Sequence, residues 1–284
     1  MQILDLINNT LDGKEIKVDN FPDGQINIHL ENLNRKDGII TITTRLINGN
    51  DIMKLLMVAD VLKRNDFIIE RLSITYLYAA RMDRIMTFDQ PYTLSIVADL
   101  INSVGANSVF IETPHNEVKT RRLIENCVIW ETLRDFNCPY CDDTITFVYP
   151  DYGAEVRFKS GIYEDGCGFV CCSKVRDPKT NLLSGFKIKE GYFKKNTKVV
   201  RVIDDLCDGG GTFCGLLPVL KDACKNIGLN PTFELVVPHL IQESAIDKLI
   251  NTGYDKIITT NSYKEWNKLN NPRLEVHNCF KDEE

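Results

Sequence analysis

The sequence lacks the features that mark membrane, secreted and nucleic-acid-binding proteins. No apolar run approaches the length of a membrane-spanning helix, and the first residues carry an acid, Asp5, in place of the basic segment of a secretory signal. The net charge is -6, so no overall positive field attracts nucleic acid. We therefore expect a cytoplasmic protein without membrane or nucleic-acid partners, in which any phosphate site is built locally.

The cysteines lack the spacing of a zinc knuckle. Cys138 and Cys141 form a C-x-x-C pair, but Cys167, Cys171 and Cys172 follow without repeating that spacing. In a chain of this length with no export signal, reduced thiols are favoured over disulfides and over a zinc site.

The 284 residues, 43% of them hydrophobic, suffice for two ordinary α/β domains. Short β-branched runs predict central strands at residues 72–78, 145–149, 199–203 and 257–261. Apolar residues at helical spacing predict helices over residues 51–63 and 93–104. This alternation is typical of parallel α/β sheets, in which polar residues after a strand lie at the carboxyl edge where ligands bind. A turn-rich stretch, residues 137–143, predicts a boundary that separates residues 1–137 from residues 138–284.

The strongest local pattern is V-I-D-D-L-C-D-G-G-G-T, residues 202–212. Its three glycines allow a tight turn that points backbone amides at an anion, and the helix predicted behind them adds partial positive charge. Asp204 and Asp205 accept hydrogen bonds only, which suits the vicinal hydroxyls of a sugar. No lysine follows the glycines, so this is not the phosphate loop of an NTPase. The alternative is a glycine-rich turn with capping aspartates.

This segment resembles the ribose-5-phosphate loop of phosphoribosyltransferases and phosphoribosyl pyrophosphate synthetases, written D-D-x-x-D-T-G-G-T. Further segments in matching order point to the synthetases, the ribose-phosphate pyrophosphokinases. The resemblance implies an α/β fold of two phosphoribosyltransferase-like domains, each a central, mostly parallel sheet flanked by helices. The first would bind ATP and the second a ribose phosphate. In this resemblance the substrate-binding residues are Asp204, Asp205, Asp208, Gly209, Gly210, Gly211 and Thr212.

Two segments resemble the nucleotide motifs of the family. Residues 21–25, F-P-D-G-Q, are similar to F-x-D-G-E, which reaches the adenine of ATP in a neighbouring subunit. Residues 76–84, Y-L-Y-A-A-R-M-D-R, are similar to Y-x-x-Y-A-R-Q-D-R, whose arginines suit phosphates through forked hydrogen bonds. Read without the resemblance, the first is an ordinary turn and the second a solvated charged loop. The implied ATP-binding residues are Phe21, Asp23, Gln25, Arg81, Met82, Asp83, Arg84 and His115.

Three further positions match the family's metal and catalytic motifs. His115 follows a strand over residues 109–111 and matches the histidine of D-L-H, which supports Mg-ATP. Asp151 lies in a segment similar to S-P-D-x-G-G, and its carboxylate suits Mg²⁺. Lys174 and Arg176 resemble the K-x-R at the start of the flexible catalytic loop, which would run through residues 177–181. The resemblance thus implies Mg²⁺ as cofactor, with His115 and Asp151 as its protein ligands, and Lys174, Arg176 and Asp208 as catalytic residues.

Several positions depart from the family pattern. Gln25 replaces a glutamate, Met82 a glutamine and Gly209 the first threonine of the phosphate loop, while residues 112–114 differ before His115. Loss of the threonine hydroxyl removes a donor to the terminal phosphate and opens space, which suits a phosphate carrying a further group. The acceptor is therefore expected to be ribose 5-phosphate or the ribose phosphate of ADP-ribose. The latter would serve a route that rebuilds NAD. Drift at Gly209 is the alternative.

The expected reaction is transfer of the β,γ-diphosphate of ATP to the anomeric hydroxyl, with release of AMP, in a homo-oligomer such as a dimer or hexamer. Two other readings remain open. One is a silent subunit that regulates active synthetases, against which the retained His115, Asp151 and Lys174 argue. The other is a phosphoribosyltransferase, which would share only the glycine-rich loop.

Overall fold

The computed structural model describes residues 1–34, 36, 38–137, 144–158, 168–176 and 183–280. The backbone alone is described at Asn137, Val175, Arg176, Leu183 and Ser184. Cys138, Cys141, Cys167 and the predicted catalytic loop over residues 177–181 therefore lie outside the described residues, as does the side chain of Arg176. Within the described part of the chain, no helix is both long and apolar enough to cross a membrane.

The chain divides into two compact units, Met1–Glu131 with Cys279–Glu284, of which residues 279 and 280 are described, and Thr132–Asn278. The predicted boundary at residues 137 and 138 lies six residues later. The difference arises because Leu133 and Phe136 pack with Ile145 and Tyr149 in the core of the second unit. The assignment of ATP to one part and ribose phosphate to the other stays a prediction.

The first unit contains a seven-stranded sheet and a separate hairpin. Its strands are β1 (Gln2–Asp5), β2 (Thr10–Leu11), β3 (Lys14–Glu15), β4 (Lys17–Asn20), β5 (Ile26–His29), β6 (Ile39–Thr44), β7 (Ile68–Ile74), β8 (Ser108–Glu112) and β9 (Cys127–Trp130). The sheet order is β3-β2-β1-β6-β7-β8-β9. The neighbouring strands β1, β6, β7, β8 and β9 are parallel to one another, and β2 pairs antiparallel with β1 and β3. β4 and β5 form the hairpin.

The second unit repeats the plan. Its strands are β10 (Ile145–Tyr149), β11 (Gly168–Arg176), β12 (Leu183–Tyr192), β13 (Val199–Ile203), β14 (Leu206–Cys207), β15 (Thr232–Val236), β16 (His239–Leu240), β17 (Lys256–Thr260) and β18 (Leu274–His277). The main sheet has the order β12-β11-β10-β13-β15-β17-β18, parallel except for β12. The predicted α/β fold of two mostly parallel sheets is confirmed.

Helices connect these strands. They are α1 (Gly49–Arg64), α2 (Thr93–Asn102), α3 (Glu117–Leu123), α4 (Arg134–Asn137), α5 (Tyr152–Phe158), α6 (Gly211–Asn226) and α7 (Glu243–Thr252), with a short 3₁₀ turn at Trp266–Lys268. α1 begins with a capping box: the Asn48 side chain accepts from the Asp51 backbone N–H, and the Asp51 carboxylate accepts from the Asn48 N–H. Leu55, Val58 and Leu62 on its apolar face pack into the core of the first unit.

The strands predicted over residues 145–149 and 199–203 are confirmed, but the one over residues 72–78 is wrong at both ends. Strand β7 begins at Ile68 and leaves the sheet after Ile74, because its partner β6 ends at Thr44. Two more bonds hold the next residues, from Thr75 N–H to the Thr44 carbonyl and from Leu46 N–H to the Tyr76 carbonyl. The chain then turns at Ala79, where φ is +64°.

A glycine holds the antiparallel edge of the second sheet in place. Gly191 in β12 has φ +100°, and a Cβ atom there would overlap the carbonyl oxygen of Phe169 in β11. We predict that Gly191→Ala destabilises the chain by at least about 2 kcal/mol through backbone strain and overlap. Urea unfolding measures the change. Gly185→Ala in the same strand, where a Cβ meets nothing within 4 Å, is the matched control. Equal stability of the two variants would contradict the prediction.

Candidate active site

Polar groups of the second unit converge at the carboxyl ends of its central strands. From β10 the chain goes first to β11 on one side and later to β13 on the other, so the order of the sheet reverses between β10 and β13. Such a reversal leaves a crevice outside the strand ends, the usual ligand position in open α/β sheets. Asp151 follows β10, and Asp204 and Asp205 follow β13. These predicted residues meet at the same edge.

The acid pair after β13 is held by its own backbone and by an arginine. The Asp205 backbone N–H donates to Asp204 Oδ1 at 2.9 Å. Arg157 of α5 lies with Nη1 2.5 Å from Asp205 Oδ1 and 3.8 Å from Asp204 Oδ1. Asp205 is 3% exposed, so its carboxylate is removed from most of the screening by water. The pair is a pre-formed acceptor site with a built-in counterion.

The charges around Asp204 set its proton affinity. Burial raises the pKa of the Asp204 carboxyl well above its ordinary value, and the charges of Asp205 and Asp151 raise that pKa further. At Asp151 the balance is reversed. Burial opposes ionisation there, but the hydrogen bond and charge of Lys174 and the N–H of Ala154 outweigh it and lower the pKa. Asp151 is therefore ionised while Asp204 resists ionisation.

Lys174 reaches this edge because β11 extends beyond β10. The β10–β11 pairing ends at Tyr149 and Cys171, and Lys174 lies three residues further along β11. Its Nζ donates to Asp151 Oδ2 at 2.8 Å. The predicted catalytic lysine and the predicted metal-binding aspartate thus contact each other.

The glycine-rich loop leads into the start of α6, where the sequence predicts an anion cradle. Gly210 has φ +77°, which L side chains rarely adopt, and it caps α6, which begins at Gly211. The first intrahelical bond is from the Cys214 N–H to the Gly210 carbonyl at 2.9 Å, so the N–H groups of residues 211–213 precede it. These amides and the 16-residue helix behind them suit a phosphate.

Gly209 differs from Gly210 in needing no special backbone. A Cβ atom at position 209 would meet only the Gln242 amide, at 3.6–3.9 Å, which is ordinary van der Waals contact. Gln242 Nε2 also donates to Asp208 Oδ1 at 2.9 Å. The amide of Gln242 thus borders the position at which the family pattern places a threonine side chain.

The thiols near the cradle are not suited to nucleophilic chemistry. Burial raises the pKa of Cys207 to about 12, and the nearby Cys214 thiol adds to the shift. Cys171 is buried and donates to Glu155 at 3.0 Å, and its pKa is raised to about 12, first by burial and then by that bond. Its sulfur lies with Glu155 and Glu190 in a group of three possible ligand atoms within 4.8 Å of one another.

In the first unit, the segment similar to the adenine motif is the tip of the β4–β5 hairpin. The Gly24 N–H donates to the Phe21 carbonyl and the Phe21 N–H to the Gln25 carbonyl, each at 2.8 Å. Asp23 Oδ1 accepts from the Gln25 N–H at 3.0 Å, so its carboxylate stabilises the turn. The Phe21 side chain is left 51% exposed, available to stack on a base.

The segment similar to the phosphate-binding arginine motif is anchored by its aspartate. Asp83 is 7% exposed, and its carboxylate accepts from Asn116 Nδ2 at 2.6 Å and lies 3.4 Å from Lys119 Nζ. Lys119 also donates to the Asp83 carbonyl at 2.7 Å. This contact ties the loop to the start of α3, directly after His115. Arg81, Met82 and Arg84 of the same segment are exposed.

Two residues of the second unit were missed by the sequence reasoning. Arg157 and Gln242 each contact a predicted site residue from a separate element. The first stands six residues after Asp151, beyond the end of the motif. No local pattern singled out Gln242, which ends the loop before α7.

The comparisons with known proteins point in one direction. Residues 2–105 match the family model described as the N-terminal domain of ribose phosphate pyrophosphokinase. A ribose-phosphate pyrophosphokinase of Marinomonas sp. (strain MWYL1) is 26% identical over 253 residues, which cover 86% of this chain and 77% of that protein. The enzyme of the same name from Xylella fastidiosa (strain Temecula1 / ATCC 700964) is 25% identical and covers 88% and 77%.

These matches confirm the resemblance to the ribose-phosphate pyrophosphokinases. A crystal structure of phosphoribosylpyrophosphate synthetase from Mycobacterium smegmatis adds a likeness of fold, with a TM-score of 0.71 at 18% identity over 93% of this chain and 85% of that one. The predicted enzyme class, a ribose-phosphate diphosphokinase-type transferase, agrees with the names of these relatives. The family-model match ends at residue 105, before His115, Asp151 and the glycine-rich loop.

The raised pKa of Asp204 yields a stability prediction. A carboxyl whose pKa is higher in the folded than in the unfolded state loses stability as pH rises through the folded value. We therefore expect Asp204→Asn to raise the melting temperature of the ligand-free chain at pH 7–8 by roughly 2–4 °C, the effect of about 1 kcal/mol at this size. The difference should vanish below the ordinary aspartate pKa of about 4.

Differential scanning calorimetry across this pH range measures the effect. Asp247→Asn is the control, because Asp247 is an exposed carboxylate on α7 and its loss should change little. A lower melting temperature for Asp204→Asn at neutral pH would contradict the assigned electrostatics.

Proposed function

We propose that this chain transfers the β,γ-diphosphate of ATP to the anomeric hydroxyl of a ribose 5-phosphate group and releases AMP. The observation that carries the proposal is the edge of the second sheet. There the amides of residues 211–213, the acid pair Asp204–Asp205 and the Lys174–Asp151 pair follow neighbouring elements of one unit. The resemblance to pyrophosphokinases supports the same reaction.

Different residues of the second unit bind different parts of the acceptor. The amides at the start of α6 bind the 5-phosphate, and Asp204 and Asp205 accept hydrogen bonds from the vicinal ribose hydroxyls. Together these contacts hold the sugar by two ends, which fixes the direction of its anomeric hydroxyl. Asp208, whose Oδ1 accepts from Gln242, is the candidate acceptor for the hydroxyl proton.

The donor is held by cations. In the transfer, the anomeric oxygen forms a bond to the β-phosphorus. The bond from that phosphorus to the oxygen shared with the α-phosphorus breaks, and this oxygen leaves with AMP. Arg81 and Arg84 bind the ATP phosphates, and the resemblance assigns His115 and Phe21 to the same nucleotide. Lys174, with Arg176, neutralises charge on the transferring group.

The carboxylates of the second unit fit Mg²⁺. Asp151 is an ionised hard oxygen donor, and it raises the pKa of Asp204, so the two acids sense each other's charge. Asp151 would hold the metal that accompanies ATP, and the acid pair, beside the ribose hydroxyls, would hold a second Mg²⁺ through water. His115 fits less well, because Mg²⁺ prefers oxygen to imidazole nitrogen. When bound, the metal would neutralise phosphate charge and favour attack at phosphorus.

The acceptor is either free ribose 5-phosphate or the ribose phosphate within ADP-ribose. Gly209 favours the second, because it supplies no hydroxyl where the family pattern has a threonine, and the Gln242 amide borders the space. A phosphate that carries a second group presents fewer oxygens and needs fewer donors. Gln242 could donate to the added group once it turns from Asp208.

We predict that the chain releases AMP from Mg-ATP in the presence of ribose 5-phosphate, ADP-ribose or both, and that Lys174→Ala lowers the rate by at least about 100-fold, as loss of a charge-stabilising donor does. Chromatographic quantification of AMP with each sugar names the acceptor. Lys187→Ala, an exposed lysine on the adjacent strand β12, should keep full activity. No release with either sugar would favour the silent-subunit reading, and full activity of Lys174→Ala would remove its assigned role.

Gly209→Thr tests the origin of acceptor choice. We expect it to shift the ratio of kcat/KM toward ribose 5-phosphate by about tenfold, the effect of about 1.4 kcal/mol from one added phosphate hydrogen bond. Gly209→Ala adds the Cβ without the hydroxyl and should leave the ratio near that of the parent. If both variants change the ratio equally, sterics rather than hydrogen bonding decide the preference.

A further inference from the structure

Arg157 contacts the acid pair but lies outside every segment that the sequence reasoning assigned. Its side chain is 13% exposed, and its Nη1 atom is within ion-pair distance of both Asp204 and Asp205. We infer that Arg157 is a positioning residue that fixes the two carboxylates in the arrangement that receives the acceptor's vicinal hydroxyls. The inference rests on the proposed function, since it concerns how the same site holds its sugar.

The geometry explains why an arginine is needed. Two neighbouring carboxylates repel each other, and the low exposure of Asp205 weakens the screening by water. A single guanidinium nitrogen, Nη1, lies 2.5 Å from Asp205 Oδ1 and 3.8 Å from Asp204 Oδ1, so one positive charge restrains both acids. A lysine would place the same charge on a flexible, unbranched stem and would hold it less firmly between the two oxygens. The backbone bond from Asp205 N–H to Asp204 Oδ1 fixes one oxygen, and Arg157 lies closest to the other acid.

The helix that carries Arg157 is itself anchored. α5 begins directly after Asp151, whose Oδ1 accepts from the Ala154 N–H at 3.1 Å. Glu155, 4% exposed on the same helix, accepts from the Cys171 thiol of β11. These contacts hold α5 against the loop before it and the strand beside it. Arg157 therefore sets the acid pair at a fixed spacing from Asp151.

This role predicts an effect on one substrate only. Arg157 directs its charge to the carboxylates, which bind the sugar, and Lys174 rather than Arg157 contacts Asp151. Loss of Arg157 should weaken acceptor binding while ATP binding is retained. A merely structural arginine would lower stability without separating the two substrates.

The test compares Arg157→Met, Arg157→Lys and a matched control. Arg201→Met removes a second arginine of the same unit, also 13% exposed, which bonds Glu234 at 2.7 Å. KM for the acceptor that the parent chain uses should rise at least about tenfold in Arg157→Met, with KM for ATP within about twofold of the parent. The acceptor KM of Arg157→Lys should fall between those of the parent and Arg157→Met, since lysine restores the charge without the rigid guanidinium plane. Arg201→Met should lower the melting temperature and leave both KM values near those of the parent.

The outcomes separate the two claims. A parent chain that releases no AMP with either sugar overturns the proposed function. An active parent with unchanged or equally raised KM values in Arg157→Met overturns the positioning role. If Arg157→Met fails to fold, Arg157→Lys decides the question, because an acceptor KM equal to that of the parent in that variant also overturns the role.

Discussion

Repulsion among neighbouring carboxylates is the constraint on which the rest of this site depends. Asp151, Asp204 and Asp205 converge at one sheet edge with two cations, Lys174 and Arg157, and Asp204 resists ionisation beside the other two acids. Such a cluster is unfavourable in an empty protein, and it persists because the fold brings the strand ends together at the point where the sheet order reverses. Its carboxylate oxygens suit a metal ion and the hydroxyls of a sugar.

The two glycines before α6 illustrate how a backbone requirement differs from a chemical choice. Gly210 is required by its positive φ, a backbone conformation that L side chains rarely adopt. Gly209 has no such constraint, so another residue could stand there without strain. The absence of a side chain at position 209 is therefore best understood through the ligand, which is why this position carries the argument on acceptor choice.

The sequence predicted the strand before the acid pair and the helix behind the glycines because their signals are local. The β-branched strand Val199–Ile203, the two acids and the glycines stand within 14 residues, and their order in the chain is their order in space. Arg157 and Gln242 could not be placed in this way. Each reaches the loop from an element more than 30 residues away, and only the packing of strands and helices brings them there. The end of β7 failed for the same reason, since its partner strand and not its composition sets it.

Asp83 is a residue whose internal contacts the sequence motif did not indicate. Its motif pointed to ATP, yet its carboxylate is buried against Asn116 and Lys119 of the following helix region. A charged residue in a loop can thus be read from sequence as a ligand contact when its first partners are internal. Arg81 and Arg84 on either side of the motif aspartate are exposed, and their assignment to phosphate stays a prediction.

The Lys174–Asp151 contact has a consequence for affinity. In the ligand-free chain each partner already neutralises the other, so under the proposed function a magnesium nucleotide would have to displace an internal counterion before it gained one. Its net binding energy is then the difference between two electrostatic contacts and not the full attraction of either. Such an exchange would make binding of the nucleotide depend only weakly on ionic strength. In the ligand-free chain, the ion pair also keeps Lys174 from binding other anions.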